Sequence, residues 1–413
     1  DWTCKYAQIA GDCVDLNTEN PEVAEKLVEF YGNYIGMGVD AFRVDTTRHI
    51  SRLSLNTMFN KQLNAIGGNS FYMFGEVCCR FSQTWYRGHA SESVPFYTWD
   101  EPDTSYSSKW QWESTPEAVN NNMNLTLEHW AAYDDTTNQP TSDNAFLNGN
   151  DYHTPDYSKA SGLGTIDFLM HWQFDSAGGA FTGALGEDQY FNDSTWNVVY
   201  VDSHDYSPDD CQTVRYNAGT QAWAENMCLM FTFRGIPCLY YGSEVEFQKG
   251  VVIDVGPNQP LSETGRAYFG DYLEGSVTAS DFGDYTASGK VSETLNSTLS
   301  QQLIKLNKIR RAVPALQKGQ YTSVGDMCFK RGYTNPETGE KSFACVAVTN
   351  DAEFSDIPNG KYIDAVTGDV KNVTDGTLTI PASGKGNCRV YVLSSNGYTG
   401  ISGKIGDTTT YLK

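Results

Sequence analysis

The first third of the chain alternates between helical and strand-like spacing of its apolar residues. Asn20-Pro21 suits a helix start, because Asn caps the helix and Pro fits its first turn, and apolar residues then recur at helical spacing. Two glycines end this helix and lead into a short buried strand at about residues 38–44. A second helix at about Ser54–Ile66 and an apolar strand at about 71–75 follow. This order predicts a parallel sheet with helical crossovers.

The same alternation resumes further along the chain, after an interruption. Residues 80–160 are polar and rich in Trp, Tyr, Asn and Asp, with one predicted helix near 116–133, so we expect a long insertion there. Three more parallel strands are predicted at about 165–169, 197–201 and 236–240. Helices are predicted from about residue 174 and over 218–232 and 299–312, whereas residues 245–297 are expected to be rich in loops.

After Pro314 the apolar residues alternate with period two. Segments 327–333 and 342–348 flank a turn that suits a hairpin, and 378–380 and 388–393 add further short strands. Residues 315–395 are therefore predicted to form a small antiparallel β domain. Residues 396–413 are rich in Gly, Ser and Thr and are expected to be a linker or tail.

Composition narrows the classes of partner. The chain has 413 residues and a formal net charge of −22, which disfavours nucleic acid and anionic lipid. Its 25 tyrosines and nine tryptophans suit core packing, and also a neutral polar ligand with apolar faces, such as a sugar. No apolar run is long enough for a membrane span. The ten cysteines lack zinc-site spacing, although Cys4 and Cys13 are spaced to close a small disulfide loop.

Three carboxylates follow predicted parallel strands: Asp45, Glu76 and Asp205. In a parallel barrel, residues at the C-terminal strand ends are the ones that perform catalysis. Arg43 and Asp45 lie two residues apart and therefore share a strand face, which indicates either a structural ion pair or a carboxylate that is held ionised. The later strand-end carboxylates favour the second interpretation.

Two facing carboxyl groups can cleave a glycosidic bond, one as nucleophile and one as acid. Arg43 would keep Asp45 ionised, whereas apolar neighbours and the charge of Asp45 would raise the pKa of Glu76. Asp205 would hold sugar hydroxyls and stabilise positive charge. His49 and His204 stand beside two of these acids, although a lone histidine is more often a core or surface residue.

Four segments in order resemble motifs of the α-amylase family, glycoside hydrolase family 13. They are residues 40–49, 74–77, 201–205 and 235–244, and they match strands four, five, seven and eight of that family's barrel. Residues 15–21 resemble the family's segment between domain B and helix three.

The resemblance implies an α/β fold: a (β/α)8 TIM barrel followed by an antiparallel β-sandwich, domain C. Residues 1–19 would end domain B, 20–314 would form the barrel portion with the insertion at 80–160 after strand five, and 315–395 would form domain C.

The resemblance also implies roles for individual residues. Asp45 would be the nucleophile, Glu76 the general acid/base and Asp205 the stabiliser of the transition state. The substrate-binding residues it implies are Arg43, which orients Asp45, His204 in the cleavage subsite, and Arg48 and His49 on the leaving-group side. A calcium ion is implied as cofactor, held by Asp15 and by the main-chain carbonyl of His49.

The sequence departs from the family pattern in three ways. Ser203 stands where the family usually has Asn, and the Asn-His dipeptide expected after strand three is absent. Strands one to three and most of domain B have no counterpart, and five strands cannot close a barrel. We therefore expect this chain to be the C-terminal part of a longer enzyme, with the N-terminal part of the same enzyme as its partner.

The expected activity is retaining, endo-acting hydrolysis of α-1,4-glucosidic bonds in starch-like polysaccharides, performed outside the cell. Pullulanase-type, maltogenic and transglycosylating activities are alternatives within the family, and a non-catalytic carbohydrate-binding relative is an alternative of another class. The insertion carries Trp85, Trp99, Trp110 and Trp112, which would either stack on glucose rings or form a small satellite core.

Overall fold

The computed structural model describes residues 5–6, 13–80, 93–100, 104–132, 140–142, 157–254, 260–281 and 284–406. The chain divides into two units. Unit 1 consists of residues 1–145, 154–169 and 187–198, and unit 2 of residues 146–153, 170–186 and 199–413.

The helices, in chain order, are α1 (Pro21–Gly36), α2 (Arg52–Ser54), α3 (Lys61–Gly67), α4 (Thr104–Ser107), α5 (Pro116–Ala132), α6 (Phe168–Gln173), α7 (Ala177–Glu187), α8 (Thr220–Thr232), α9 (Gly289–Leu295), α10 (Thr298–Ala312) and α11 (Pro314–Lys318). The strands are β1 (Ala41–Val44), β2 (Tyr72–Gly75), β3 (Gly164–Thr165), β4 (Val198–Val199), β5 (Ile236–Pro237), β6 (Gly275–Asp281), β7 (Asp284–Ser288), β8 (Gln320–Gly325), β9 (Cys328–Thr334), β10 (Lys341–Val348), β11 (Ala352–Phe354), β12 (Gly360–Asp364), β13 (Val370–Val373), β14 (Leu378–Ile380) and β15 (Cys388–Leu393).

Unit 1 contains a parallel sheet in the order β1-β2-β3. Arg43 lies opposite Phe74 in the β1–β2 register, and Gly75 lies opposite Thr165 in the β2–β3 register. Helix α1 begins where the sequence predicts, because the side chain of Asn20 accepts a hydrogen bond from the backbone N–H of Glu22 at 3.1 Å. Since β1 and β2 are parallel, their C-terminal ends lie side by side at the same end of the sheet.

Three details of unit 1 differ from the prediction. Strand β1 was expected to be buried, but it is the edge strand of the described sheet and exposes Ala41. The strand expected at 165–169 ends at Thr165, because the chain turns into α6 at Phe168. The helix expected over 54–66 is broken into α2 and α3 by a π-helical segment, Leu55–Asn60.

The tryptophans of the insertion separate into two groups. Trp99 and Trp110 are buried, and the indole Nε1 of Trp99 donates to the Tyr190 carbonyl at 2.8 Å. These two therefore support the satellite-core alternative. Trp112 is 54% exposed, and Trp85 lies outside the described residues.

In unit 2, helix α8 packs on a six-stranded antiparallel sheet of order β13-β12-β15-β10-β9-β8. The period-two pattern explains how this sheet has two buried faces. Val346 of β10 joins the core that includes Met227 of α8, whereas its neighbour Cys345 joins a second core with Leu378 of the two-stranded β11–β14 sheet. The strands predicted in the β domain are therefore present and form two sheets.

The β domain predicted over residues 315–395 and helix α8 lie in the same unit, and a continuous core joins them. Arg331 of β9 reinforces this joint, since its guanidinium donates to the carbonyls of Thr232, at 2.7 Å, and Phe233 at the end of α8, and to that of Gly319 at 3.0 Å.

Two further segments of unit 2 take part in local structure. In the segment after residue 395, expected to be a linker or tail, the Ile405 N–H donates to the Ala365 carbonyl at 2.8 Å. Residues 245–297, expected to be rich in loops, also contain the β6–β7 hairpin and helix α9. No helix in the described ranges is both long and apolar enough to cross a membrane.

Candidate active site

Unit 1 brings together three of the predicted site residues. The Arg43 guanidinium bridges two carboxyl groups: its Nη1 lies 2.6 Å from Asp45 Oδ1 and its Nη2 lies 3.1 Å from Glu76 Oε2. The Asp45 side chain is 66% exposed, whereas that of Glu76 is 10% exposed. One carboxyl group is thus open to solvent while the other is largely withdrawn from it.

The backbone between the two strands is shaped to hold this arrangement. Thr46 has a φ of +47°, a left-handed conformation that is unusual for a β-branched residue. In this conformation the Thr46 N–H donates to Glu76 Oε2 at 3.3 Å. The hydroxyl of Thr47 turns back to the Val44 carbonyl at 2.8 Å, which closes the turn after β1.

Gly75 gives this turn the space it occupies. A Cβ at Gly75 would lie 2.6 Å from Thr47 Oγ1 and 2.9 Å from Thr47 Cγ2, which is closer than real contacts allow. Because Gly75 directly precedes Glu76, the missing side chain lets the segment that carries Asp45 approach the end of β2.

The environment of Glu76 favours its protonated form. Burial raises the pKa of Glu76, and a hydrogen bond shared with the Asp45 carboxyl raises it further. The Thr46 N–H and the charge of Arg43 act in the opposite direction without cancelling these effects. The direction agrees with the one predicted from the apolar neighbours of Glu76 and the charge of Asp45.

Arg48 and His49 follow Asp45 in a short 3₁₀ turn, Thr47–His49. Arg48 Nη1 donates to the Cys78 carbonyl at 3.0 Å, so it braces the chain just beyond Glu76. The substrate contacts expected for Arg48 and His49 stay predictions.

Asp15, one of the predicted calcium ligands, feels the charge of the His49 side chain. Burial raises the pKa of Asp15, and the nearby His49 lowers it by a smaller amount. Within the described ranges, no three His, Cys, Asp or Glu side chains gather in a way that could hold a metal ion. The calcium site assigned to Asp15 and the His49 carbonyl stays a prediction.

Asp205 and His204 belong to unit 2, where they form a group of their own. The imidazole Nε2 of His204 lies 2.9 Å from Asp205 Oδ2. The hydroxyl of Ser203 accepts hydrogen bonds from the backbone N–H groups of Asp205 and Tyr206 at 3.1 and 3.0 Å. The residue that departs from the family pattern thus builds the turn that presents Asp205.

Sequence reasoning did not identify two arginines in unit 2. Arg266 donates from Nη2 to Asp205 Oδ1 at 2.7 Å. The buried Arg215 lies with its Nε 3.3 Å from Asp202 Oδ2, and Ser243 donates to the other oxygen of Asp202 at 2.7 Å. Asp202 was visible as part of the motif at 201–205, but nothing local to either arginine indicates its partner.

Comparison with known proteins adds to this geometry. Residues 6–260 match the family described as alpha-amylase, catalytic domain. The chain belongs to the alpha-amylase family. A curated alpha-amylase of Streptomyces lividans is 24% identical over 385 residues, covering 89% of this chain and 35% of that protein. The chain thus spans about a third of the length of this alpha-amylase.

Solved structures of alpha-amylase relatives share the fold. The alpha-amylase of Geobacillus thermoleovorans, solved in complex with acarbose, has a TM-score of 0.50 at 16% identity, covering 96% of this chain and 73% of its own. A gamma-CGTase from alkalophilic Bacillus clarkii has a TM-score of 0.53 at 16% identity, covering 96% and 47%. The chain therefore has a TIM-barrel-type fold with a β-sheet C domain.

Proposed function

We propose that this chain forms part of a retaining, endo-acting hydrolase of α-1,4-glucosidic bonds in starch-like polysaccharides. Asp45 is the nucleophile, Glu76 the general acid/base and Asp205 the transition-state stabiliser. The observation that carries the proposal is the guanidinium of Arg43 held between Asp45 and Glu76 at 2.6 and 3.1 Å. A pair of carboxyl groups fixed at adjacent strand ends is what glycoside cleavage requires.

The two carboxyl groups differ in the way that the reaction needs. Asp45 is exposed and receives a charge-assisted hydrogen bond from Arg43, which favours its ionised form and suits attack on the anomeric carbon. Glu76 is largely buried with a raised pKa, which suits donation of a proton to the leaving oxygen. In the second step, Glu76 would remove a proton from the water that hydrolyses the glycosyl–Asp45 ester.

The close approach of the two groups favours retention of configuration. Inverting enzymes hold their carboxyl groups about 6.5–9.5 Å apart to admit a water molecule, whereas retaining enzymes hold them about 5–5.5 Å apart. Asp45 and Glu76 both contact the single guanidinium of Arg43, at 2.6 and 3.1 Å. This proximity supports direct attack by Asp45 over attack by an intervening water.

The edge of the described sheet supports a second part of the proposal, namely that the N-terminal part of the same enzyme completes the barrel. Strand β1 has no described neighbour on its outer side. Helix α1 and the residue after it expose four large apolar side chains: Phe30 by 52%, Tyr31 by 42%, Tyr34 by 43% and Met37 by 79%. Additional strands and helices would cover these groups and the strand edge. Residues 1–413 produced alone should therefore lack activity, and a monomeric, starch-hydrolysing product would contradict this part.

Calcium and secretion complete the proposal. Asp15 and the His49 carbonyl would be two oxygen ligands of a calcium ion, with the remaining ligands supplied by other parts of the enzyme. A rise in the melting temperature of the full-length protein on adding calcium, reversed by a chelator and weakened in Asp15→Ala, would support this site. Action on a polymer favours a location outside the cell.

The test compares the full-length wild type with Glu76→Gln and Asp45→Asn on soluble starch and maltoheptaose. Both variants should lose nearly all turnover while binding maltoheptaose, because one lacks the nucleophile of the double displacement and the other its general acid/base. Proton NMR of the first product should show the α-anomer.

Three outcomes would contradict the proposal. Equal rates for wild type and Glu76→Gln would remove the assigned acid, and a β-anomeric product would exclude retention. Binding of oligosaccharide without turnover by the wild type would favour the non-catalytic alternative. Product sizes over time would separate endo-hydrolysis from release of maltose, from transfer and from attack on α-1,6 bonds.

A further inference from the structure

We propose that Arg266 is a positioning residue for Asp205, which it holds in a fixed orientation together with the turn that carries it. The inference rests on the proposed function for its kinetic consequences, whereas its structural consequences can be measured without any activity. The residue lies in a loop of unit 2 and is separated from Asp205 by 61 positions along the chain.

Arg266 uses three separate donors on three acceptors. Its Nη2 donates to Asp205 Oδ1 at 2.7 Å, and its Nε donates to the backbone carbonyl of His204 at 2.8 Å. Its Nη1 donates to Asp254 Oδ2 at 3.0 Å. A planar guanidinium bonded on three sides cannot rotate without breaking contacts, so it fixes both the side chain and the backbone of the Asp205 turn.

The contacts of Asp205 show why this support matters. One carboxylate oxygen faces Arg266 and the other faces the imidazole Nε2 of His204 at 2.9 Å. Ser203 holds the backbone of the turn from the other side, through the N–H groups of Asp205 and Tyr206. Without Arg266, Asp205 Oδ1 would lose the contact with the guanidinium, and the His204 carbonyl would lose this hydrogen-bond donor. The Asp205 carboxylate could then adopt other rotamers.

Arg266 also lines an open cleft of about 730 Å³ together with Tyr241, Tyr268 and Leu273. Tyr241, Tyr268 and Leu273 are exposed by 39%, 80% and 54%, so the cleft is open to solvent on this side. The arginine thus holds Asp205 from the wall of a solvent-filled space. A small cation added to the solution can reach this space, which makes the position suitable for chemical rescue.

The kinetic test uses Arg266→Gln, Arg266→Lys and Arg266→Ala in the full-length protein, with maltoheptaose as substrate. Misplacing a group that acts in the transition state by about 1 Å costs about 100-fold, so Arg266→Gln should lower kcat by about that factor. KM should change by less than about threefold, because the lost interaction acts mainly in the transition state. The kcat of Arg266→Lys should lie between those of the wild type and Arg266→Gln. Guanidinium ion should restore part of the kcat of Arg266→Ala.

Lys371→Gln serves as the matched control, since it removes an exposed cation that lies 3.6 Å from Asp369 in the β domain. Its kcat should equal that of the wild type. An unchanged kcat in Arg266→Gln would overturn the proposal. A fall in kcat that follows a lower melting temperature and shows no rescue by guanidinium would also overturn it, because it would indicate a merely structural role.

Hydrogen–deuterium exchange separates this inference from the proposed function. In Arg266→Gln, the amides of Asp205 and Tyr206 should exchange at least about tenfold faster than in the wild type, with little change elsewhere in unit 2. If the wild type proves inactive on glucans but the exchange rates change as stated, the proposed function is wrong and the positioning role stands. Unchanged exchange in this turn would overturn the positioning role whatever the activity.

Discussion

Arg43 Nη2 lies 3.1 Å from Glu76 Oε2, across two neighbouring parallel strands. The same guanidinium holds Asp45 through its other terminal nitrogen. One cation therefore sets the relative position of the two carboxyl groups to which we assign the chemistry.

Replacement of Arg43 by Lys should separate the effect of the positive charge on activity from the effect of the guanidinium geometry. Lysine keeps the positive charge but cannot place two nitrogens on two carboxylates at once. We expect Arg43→Lys to lower kcat/KM on maltoheptaose by about 100-fold, because misoriented carboxyl groups attack and protonate poorly. Arg311→Lys on the exposed side of α10 is the matched control and should be silent. A rate within threefold of the wild type, or about 0.7 kcal/mol, would show that charge alone suffices.

The raised pKa of Glu76 predicts the pH dependence of activity. The pH dependence of kcat/KM reports the acid in the free enzyme, where burial together with the Asp45 carboxyl keeps Glu76 protonated above its ordinary range. The fall of kcat/KM on the alkaline side should therefore lie above the ordinary titration range of a glutamic acid. Steady-state measurement of kcat/KM between about pH 4 and pH 8 locates this alkaline fall.

The same shift predicts how stability depends on pH. Because the pKa of Glu76 is raised in the folded state, the folded protein binds this proton more tightly than the unfolded chain does. This contribution is complete below the unfolded pKa and is lost as pH rises through the folded pKa. The unfolding free energy of Glu76→Gln should therefore rise relative to that of the wild type as pH rises. Urea denaturation of both proteins at several pH values measures this difference. A constant difference across this range would contradict the shift.

The buried pair of Asp202 and Arg215 predicts a large stability effect. Both side chains are nearly inaccessible to solvent, with Asp202 also bonded to Ser243. Asp202→Ala leaves an uncompensated buried cation and should cost about 3–5 kcal/mol of unfolding free energy. Asp351→Ala at an exposed loop position should change it by less than about 0.5 kcal/mol.

A double variant checks this reasoning about the pair. Asp202→Ala combined with Arg215→Leu removes both charges and should recover part of the loss. If the double variant is less stable than the sum of the two single losses, the pair is not coupled in the way its geometry indicates. Urea denaturation of all three variants at one pH supplies the comparison.

The joint between α8 and the β domain predicts another stability effect. Arg331 donates to carbonyls at the end of α8 and at Gly319, and Arg331→Leu would leave these acceptors unsatisfied in the interior. We expect a loss of at least about 3 kcal/mol, at about 1–3 kcal/mol for each unsatisfied group. Lys330→Leu, at the neighbouring position on β9, should have a much smaller effect because its side chain is partly exposed. Equal effects of the two variants would contradict the role of Arg331.

Local sequence patterns were enough to predict much of the fold and part of the candidate site. The strand containing Arg43 and the strand before Glu76 could be read from short apolar runs, and parallel pairing then makes their ends neighbours. Helix α1 could be placed because Asn20-Pro21 combines a cap with a fixed first turn. Period-two alternation located the strands of the β domain for the same reason, since each face of its sheet packs on a different core.

Other features depend on contacts that no local pattern reports. Arg266 lies in a loop without periodicity, and its pairing with Asp205 is decided by how that loop folds back over 61 positions. The β6–β7 hairpin is composed mainly of small and polar residues, so its apolar pattern is too weak to separate it from loop. The extent of unit 2 could not be foreseen either, because it depends on packing between α8 and strands far along the chain.

The position before Glu76 has a consequence for the product of the reaction. The distance between two carboxyl groups decides which anomer a glycoside hydrolase releases. Here the segment after Asp45 can press against β2 only because Gly75 has a hydrogen atom where any other residue would place a Cβ atom 2.6 Å from Thr47 Oγ1. The stereochemistry that we assign to this protein therefore depends on a residue that has no functional group of its own.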